Sequence, residues 1–248
     1  MRSIVVIVAK EPVPTQVKTR LSTHLSAGQS AELYSLFIQD MVEEMSKISG
    51  ASKTVRCDSS SHTALALAYT PEKAKPIFEK ILPIRIPLFP QQGADLGERL
   101  ANIFNRLFAK GYDQVHIINS DSPDMFHCLV KGSISLLEQP QTELVLGPCS
   151  DGGYYLIGLK RPIPELFEQM PWSTDQVLDK TLEKARFLGL PFALLEPWYD
   201  IDTHDDLLKF LARHKNRGDG DDGPGWRTLR YLRTLVIKEF LGASLQLK

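Results

Sequence analysis

Apolar residues along the chain follow two rhythms. Residues 3–9 form a continuous, largely β-branched run, the pattern of a strand covered on both faces. Ser26 with Gln29 spells a capping box, and Leu33, Leu36, Phe37, Met41 and Met45 then recur at helical spacing, which predicts a helix to about residue 47. The same reading predicts strands at 54–57, 114–119, 144–146 and 154–159. It predicts helices at 71–82, 95–110 and 126–138, one capped by Thr174 and running to about 188, and one capped by Thr203 and running to about 214. In the 95–110 helix Leu96, Leu100, Ile103, Leu107 and Phe108 face inward, and Gly111 ends it. Strands alternating with helices imply an α/β fold, a doubly wound and mostly parallel sheet.

One clear break interrupts this order. Residues 216–225 read Asn-Arg-Gly-Asp-Gly-Asp-Asp-Gly-Pro-Gly, an exposed loop by its glycines and like charges. It separates a domain over 1–215 from a C-terminal amphipathic helix over 226–248. In that helix Trp226, Leu229, Leu232, Leu235, Val236 and Phe240 share a stripe, with Arg227, Arg230, Arg233 and Lys238 on other faces. A basic amphipathic helix can lie on a membrane. An apolar stripe more often docks on its own domain or on a second subunit, which would make a homo-oligomer.

Composition narrows the function. The 248 residues carry 29 Lys and Arg against 30 Asp and Glu, a net charge of −1, with 43% hydrophobic and 24% charged residues. That mix builds a full core, and its charge balance argues against a nucleic-acid binder. The three cysteines, Cys57, Cys128 and Cys149, form no metal or disulfide spacing and read as reduced thiols of a cytoplasmic protein. The first apolar run is too short for a signal peptide or a membrane span.

In an open parallel sheet, ligands bind beyond the carboxyl ends of the strands. After the first strand, Lys10, Lys18 and Arg20 concentrate positive charge in a loop stiffened by Pro12 and Pro14. It is not a P-loop, since residues 13–19 contain no glycine to form the backbone cradle. The alternatives are a side-chain phosphate clamp and a solvated basic loop. After the 114–119 strand comes Asp121, placed to hold a hard cation such as Mg²⁺ or to start a helix, with Asp124 read as a helix cap. Asp200 and Asp202, two apart in an extended stretch, can converge on one ion. Their D-x-D-x-T string matches aspartate-nucleophile phosphatases, but only 46 residues follow Asp202, too few for the rest of such a domain. Gly93, Asp95, Gly97 and Arg99 open a helix whose free N–H groups suit an anion. Asp151, Gly152, Gly153 and Tyr154 form at least a tight turn.

Taken together, residues 9–14, 17–21, 95–99, 119–123, 147–148, 151–155, 172–173 and 200–203 resemble a bacterial glycosyltransferase-A-like family. That family belongs to the nucleotide-diphospho-sugar transferase superfamily and is similar to the phospholactate guanylyltransferases. The resemblance spans about residues 3–211. It implies a phosphate-binding role for Lys18 and Arg20, and a metal-binding one for Asp121, Asp200 and Asp202, with Mg²⁺ or Mn²⁺. Asp151, Gly152, Gly153, Tyr154, Trp172 and Ser173 would meet the acceptor. The expected activity is nucleotidyl transfer from a nucleoside triphosphate to a small phosphorylated or sugar acceptor. Lys18, Arg20 and Asp121 would be catalytic. Glycosyl transfer from a nucleotide-sugar is the alternative, and nucleotide binding without turnover a second. Family members commonly carry Gly where this chain has Thr15, and a Cβ there obstructs close approach of a phosphate to the backbone.

Overall fold

The computed structural model describes residues 1–48, 63–218 and 220–245, with side chains followed to residue 235. Among the described residues seven strands form one sheet in the order β3-β2-β1-β4-β6-β5-β7. They are β1 (Ser3–Lys10), β2 (Thr63–Thr70), β3 (Leu88–Pro90), β4 (Gln114–Ile118), β5 (Leu144–Pro148), β6 (Tyr154–Leu159) and β7 (Phe192–Leu194). All run parallel except β6, which pairs antiparallel with both β4 and β5. The helices are α1 (Ala27–Ser46), α2 (Lys75–Ile81), α3 (Leu96–Ala109), α4 (His127–Glu138), α5 (Val177–Phe187), α6 (His204–Arg213) and α7 (Trp226–Leu245).

Alternation along β1 explains the two layers. Val5 and Ile7 point into the core under α1, α4, α6 and α7, whereas Ile4 and Val6 point into the core under α3 and α5. The chain runs β1, β2, β3 outward on one side and then returns to place β4 on the other side of β1. The crevice between the carboxyl ends of β1 and β4 is therefore the switch point of the sheet.

Several expectations are corrected. The 54–57 strand lies outside the described residues. The strand β2 reads Thr-Ala-Leu-Ala-Leu-Ala-Tyr-Thr, a run of good helix formers; burial between β1 and β3 overrides that propensity. The edge strands β3 and β7, three residues each, are too short to leave a periodic signal. Helix α2 begins four residues later than expected, after a 3₁₀ turn at Glu72–Ala74. Thr174 does not cap α5: the cap position is Gln176, and Thr174 Oγ1 donates to Pro171 O instead. Asp124 does not cap α4, whose cap position is Phe126. Asp124 is buried and accepts from the Tyr199 hydroxyl and from His214 Nε2 at 2.8 Å. The reciprocal boxes Ser26–Gln29 and Thr203–Asp206 are both formed.

Helix α7 docks on α1 of its own chain. Leu229, Leu232 and Leu235 join the α1-side core. The buried Asp40 carboxylate of α1 accepts from Arg227 N at 3.2 Å, Thr228 N at 3.0 Å and Thr228 Oγ1 at 2.8 Å. Asp40 thus satisfies free N–H groups of the first α7 turn from a neighbouring helix.

Candidate active site

The loop after β1 crosses the switch point with two non-glycine residues in the left-handed region, Thr15 at φ 68° and Lys18 at φ 48°. A β-branched residue there is an uncommon, strained choice, and such strain gathers at functional sites. The turn aims Lys18 inward. Its side chain is 3% exposed, and Nζ lies 2.6 Å from Asp121 Oδ1, 2.9 Å from Asp202 Oδ1 and 2.7 Å from Ile201 O. Burial alone would lower its pKa, but the Asp121 and Asp202 carboxylates raise it well above the ordinary lysine value. Lys18 therefore stays charged and ties the first loop to both acidic loops.

Asp121 follows β4 and Asp200 follows the extended stretch that pairs Cys149 with Trp198. Ile201 N donates to Asp121 O at 3.0 Å, which fixes the two acidic loops against each other. Asp200 Oδ1 accepts from Asn119 Nδ2 and from Ser122 Oγ, both at 2.8 Å. Burial, then the Asp121 charge, pushes the Asp200 pKa up to about 6. Cys149, Asp151 and Asp200 bring one ligand atom each within 4.8 Å of one another. Burial and the nearby Asp200 and Asp151 push the Cys149 thiol up, so it remains protonated and the oxygen donors dominate. Crowded carboxylates of this kind suit a hard divalent cation such as Mg²⁺ or Mn²⁺. On the helix side, the Tyr34 hydroxyl meets Ser120 Oγ at 2.8 Å and accepts from Lys10 N at 3.1 Å. Burial and the Asp121 charge hold its pKa up at about 12, so this clasp between β1 and the β4 loop stays neutral.

Two cavities share this cleft. The first, about 490 Å³, is lined by Lys10, Lys18, Arg20 and Arg99 against Asp121 and Asp202. The second, about 450 Å³, is lined by Asp121, Asp151, Asp175, Asp200 and Asp202, with Arg20 as its cation and Leu96, Leu100, Tyr154 and Trp172 among its apolar wall. Ser173, at φ 65°, borders both.

The expected residues are thus largely brought together. Lys10, Lys18, Arg20, Arg99, Asp121, Asp151, Gly153, Tyr154, Trp172, Ser173, Asp200 and Asp202 all line the cleft. Gly93, Asp95, Gly97 and Gly152 serve the backbone around it. Asp95 caps α3 through Glu98 N, and a Cβ on Gly97 would meet Phe167 O at 2.6 Å and Trp172 Nε1 at 2.9 Å. Gly152, at φ 86°, lies against the Asp175 backbone. Trp198 packs with Tyr199, Phe126 and Arg213 rather than lining the cleft.

Four contributors escape sequence reasoning. Asn119 and Ser122 hold Asp200 from about eighty positions away. Asp175 enters from the loop before α5. Gln91 sits just past β3, with Nε2 donating to Ala68 O at 2.8 Å and Ala9 O at 3.3 Å. The strand-end rule would have found Gln91 had β3 been recognised.

The family described as "Uncharacterized protein conserved in bacteria (DUF2064)" is matched by residues 54–174. No curated protein matches the sequence. A crystal structure from Desulfovibrio desulfuricans G20, provisionally named a nucleotide-diphospho-sugar transferase, is 30% identical. It covers 95% of this chain and 97% of its own, with a TM-score of 0.81. A CMP:2-keto-3-deoxy-manno-octonic acid synthetase complexed with CTP is 12% identical, covering 88% of this chain and 100% of its own at a TM-score of 0.53. A cytidylyltransferase from Leptospira borgpetersenii is 13% identical, covering 97% and 95% at 0.52. The last two likenesses establish the fold alone.

Proposed function

The chain belongs to the DUF2064 family, and from that premise we propose that it is a metal-dependent transferase moving a nucleotidyl group from a nucleoside triphosphate to a small acceptor. The observation that carries this reading is the Lys18 ammonium held between Asp121 and Asp202 at the sheet's switch point, with a cationic cavity on one side and an acidic one on the other. In this reading the triphosphate lies against Lys10, Lys18, Arg20 and Arg99. Asp121 and Asp200, with Asp202, would hold Mg²⁺ or Mn²⁺, which when bound neutralises phosphate oxygens.

An acceptor hydroxyl forms the new bond to the α-phosphorus while the bond to the bridging oxygen breaks and pyrophosphate leaves. The hydroxyl proton passes to a cleft carboxylate. Lys18 and Arg20 stabilise the charge that grows on the leaving pyrophosphate, where preorganised cations act most strongly. The basic loop favours this reaction over glycosyl transfer, because pyrophosphate is the more highly charged leaving group.

Product analysis on the full chain with Mg²⁺ tests the reading. Release of pyrophosphate supports it; release of free nucleoside diphosphate from a nucleotide-sugar identifies a glycosyltransferase, and binding without consumption a nucleotide-binding protein. Asp121→Ala is expected to abolish turnover while circular dichroism stays native, and Arg20→Ala to cost about 10²–10³ in rate. An unchanged rate in Asp121→Ala rejects the metal role.

A further inference from the structure

The two halves of the cleft differ in sign. Among the described residues, Arg20 is the only Lys, Arg or His lining the second cavity, and the cavity's five carboxylates come from four loops, Asp200 and Asp202 sharing one. Lys18 reaches Asp121 and Asp202 from the first cavity, and a divalent cation on Asp121 and Asp200 would add two positive charges. Even so, Asp151 and Asp175 keep the acceptor half net negative. Phosphate and carboxylate groups are recognised by Arg and Lys forks or by free backbone N–H groups. Here the one such side chain, Arg20, faces the triphosphate in this reading, and Gly153 N is already taken by Asp151 Oδ1 at 2.9 Å. Hydroxyl groups, in contrast, donate to carboxylates in charge-assisted bonds. The Trp172 indole, with Leu96 and Leu100, adds an apolar face on which the C–H side of a ring can rest.

We propose that the acidic half selects an uncharged, hydroxyl-bearing acceptor, a sugar or polyol, and turns away acceptors that carry a phosphate or carboxylate. This narrows the acceptor class and rests on the nucleotidyl-transfer reading. The selection is electrostatic, since an anion placed among like charges is disfavoured even where its shape fits.

Saturation-transfer NMR on the full chain, with Mg²⁺ and non-hydrolysable analogues of the four ribonucleoside triphosphates, tests it. The probes are matched pairs: mannose and mannose 1-phosphate, myo-inositol and inositol 1-phosphate, glycerol and glycerol 3-phosphate. The free member of at least one pair is expected to bind about tenfold or more tighter than its phosphate. Asp175→Arg, a change at an exposed position, is expected to narrow that ratio about tenfold, with Asp175→Asn intermediate. Tighter or equal binding of the phosphorylated members, or no binding of any free polyol, overturns the proposal. Should no triphosphate analogue bind, the nucleotidyl reading fails and the acceptor proposal falls with it; a bound analogue beside a preferred phosphate ester sinks the acceptor proposal alone.

Discussion

Asp200 is pulled two ways. Asn119 and Ser122 donate to its carboxylate, while burial and Asp121 oppose its charge and set its pKa at about 6, above the 3.8 of an ordinary Asp. The folded state therefore holds the proton more tightly than the unfolded chain. The stability this contributes is complete below about pH 4 and is lost as pH rises through 6. Asp200→Asn keeps an oxygen for Asn119 and Ser122 and removes the charge. It is expected to stabilise the metal-free protein by about 1–3 kcal/mol at pH 8, much less at pH 4, and to abolish stabilisation by Mg²⁺. Urea melts at the two pH values check the sign, and an equal gain at both rejects it. At this scale the sequence was informative for side chains that follow strands, Lys18, Asp121 and Asp202. It was silent on Asn119 and Ser122, whose roles exist only through Asp200, and misleading for Asp124, whose cap-like position hides a buried contact with His214.

Helices with long amphipathic faces and explicit caps are legible in the chain itself: α1 and α6 carry the capping boxes that their sequences spell. The strand β2 is not, because alanine and leucine take the conformation that burial assigns them. Helix α7 is legible as an element, but its partner is not. Its first turn depends on Asp40, a residue that α1 alone would expose as one more polar position. Asp40→Ala leaves the buried Thr228 N–H and hydroxyl without their acceptor. The expected cost is about 2–4 kcal/mol, with faster amide exchange in α7, whereas Asp40→Asn loses less. Exchange unchanged across α7 would show that the leucine stripe docks the helix without this cap.

Across the whole molecule, the switch of strand order between β1 and β4 collects distant loops into one cleft and sorts their charges into a cationic and an acidic half. A ligand that bridges the halves binds the native state only, so a nucleoside triphosphate with Mg²⁺ at a hundred times its dissociation constant is expected to stabilise the protein by about 2.7 kcal/mol. Triphosphate or Mg²⁺ alone should give less, and a melting temperature indifferent to all three would remove the nucleotide reading. Local chemistry settled a good deal: hydrophobic period marks most elements, and the carboxyl end of a buried strand is where a ligand group must stand, so the α/β class and most cleft residues follow from the chain alone. Which charge meets which did not follow. Lys18 and Asp202 are 184 positions apart, and their 2.9 Å contact is set by strand order, register and the packing of α1 and α6 against the sheet. Those are properties of the assembled core, which no local window of sequence contains.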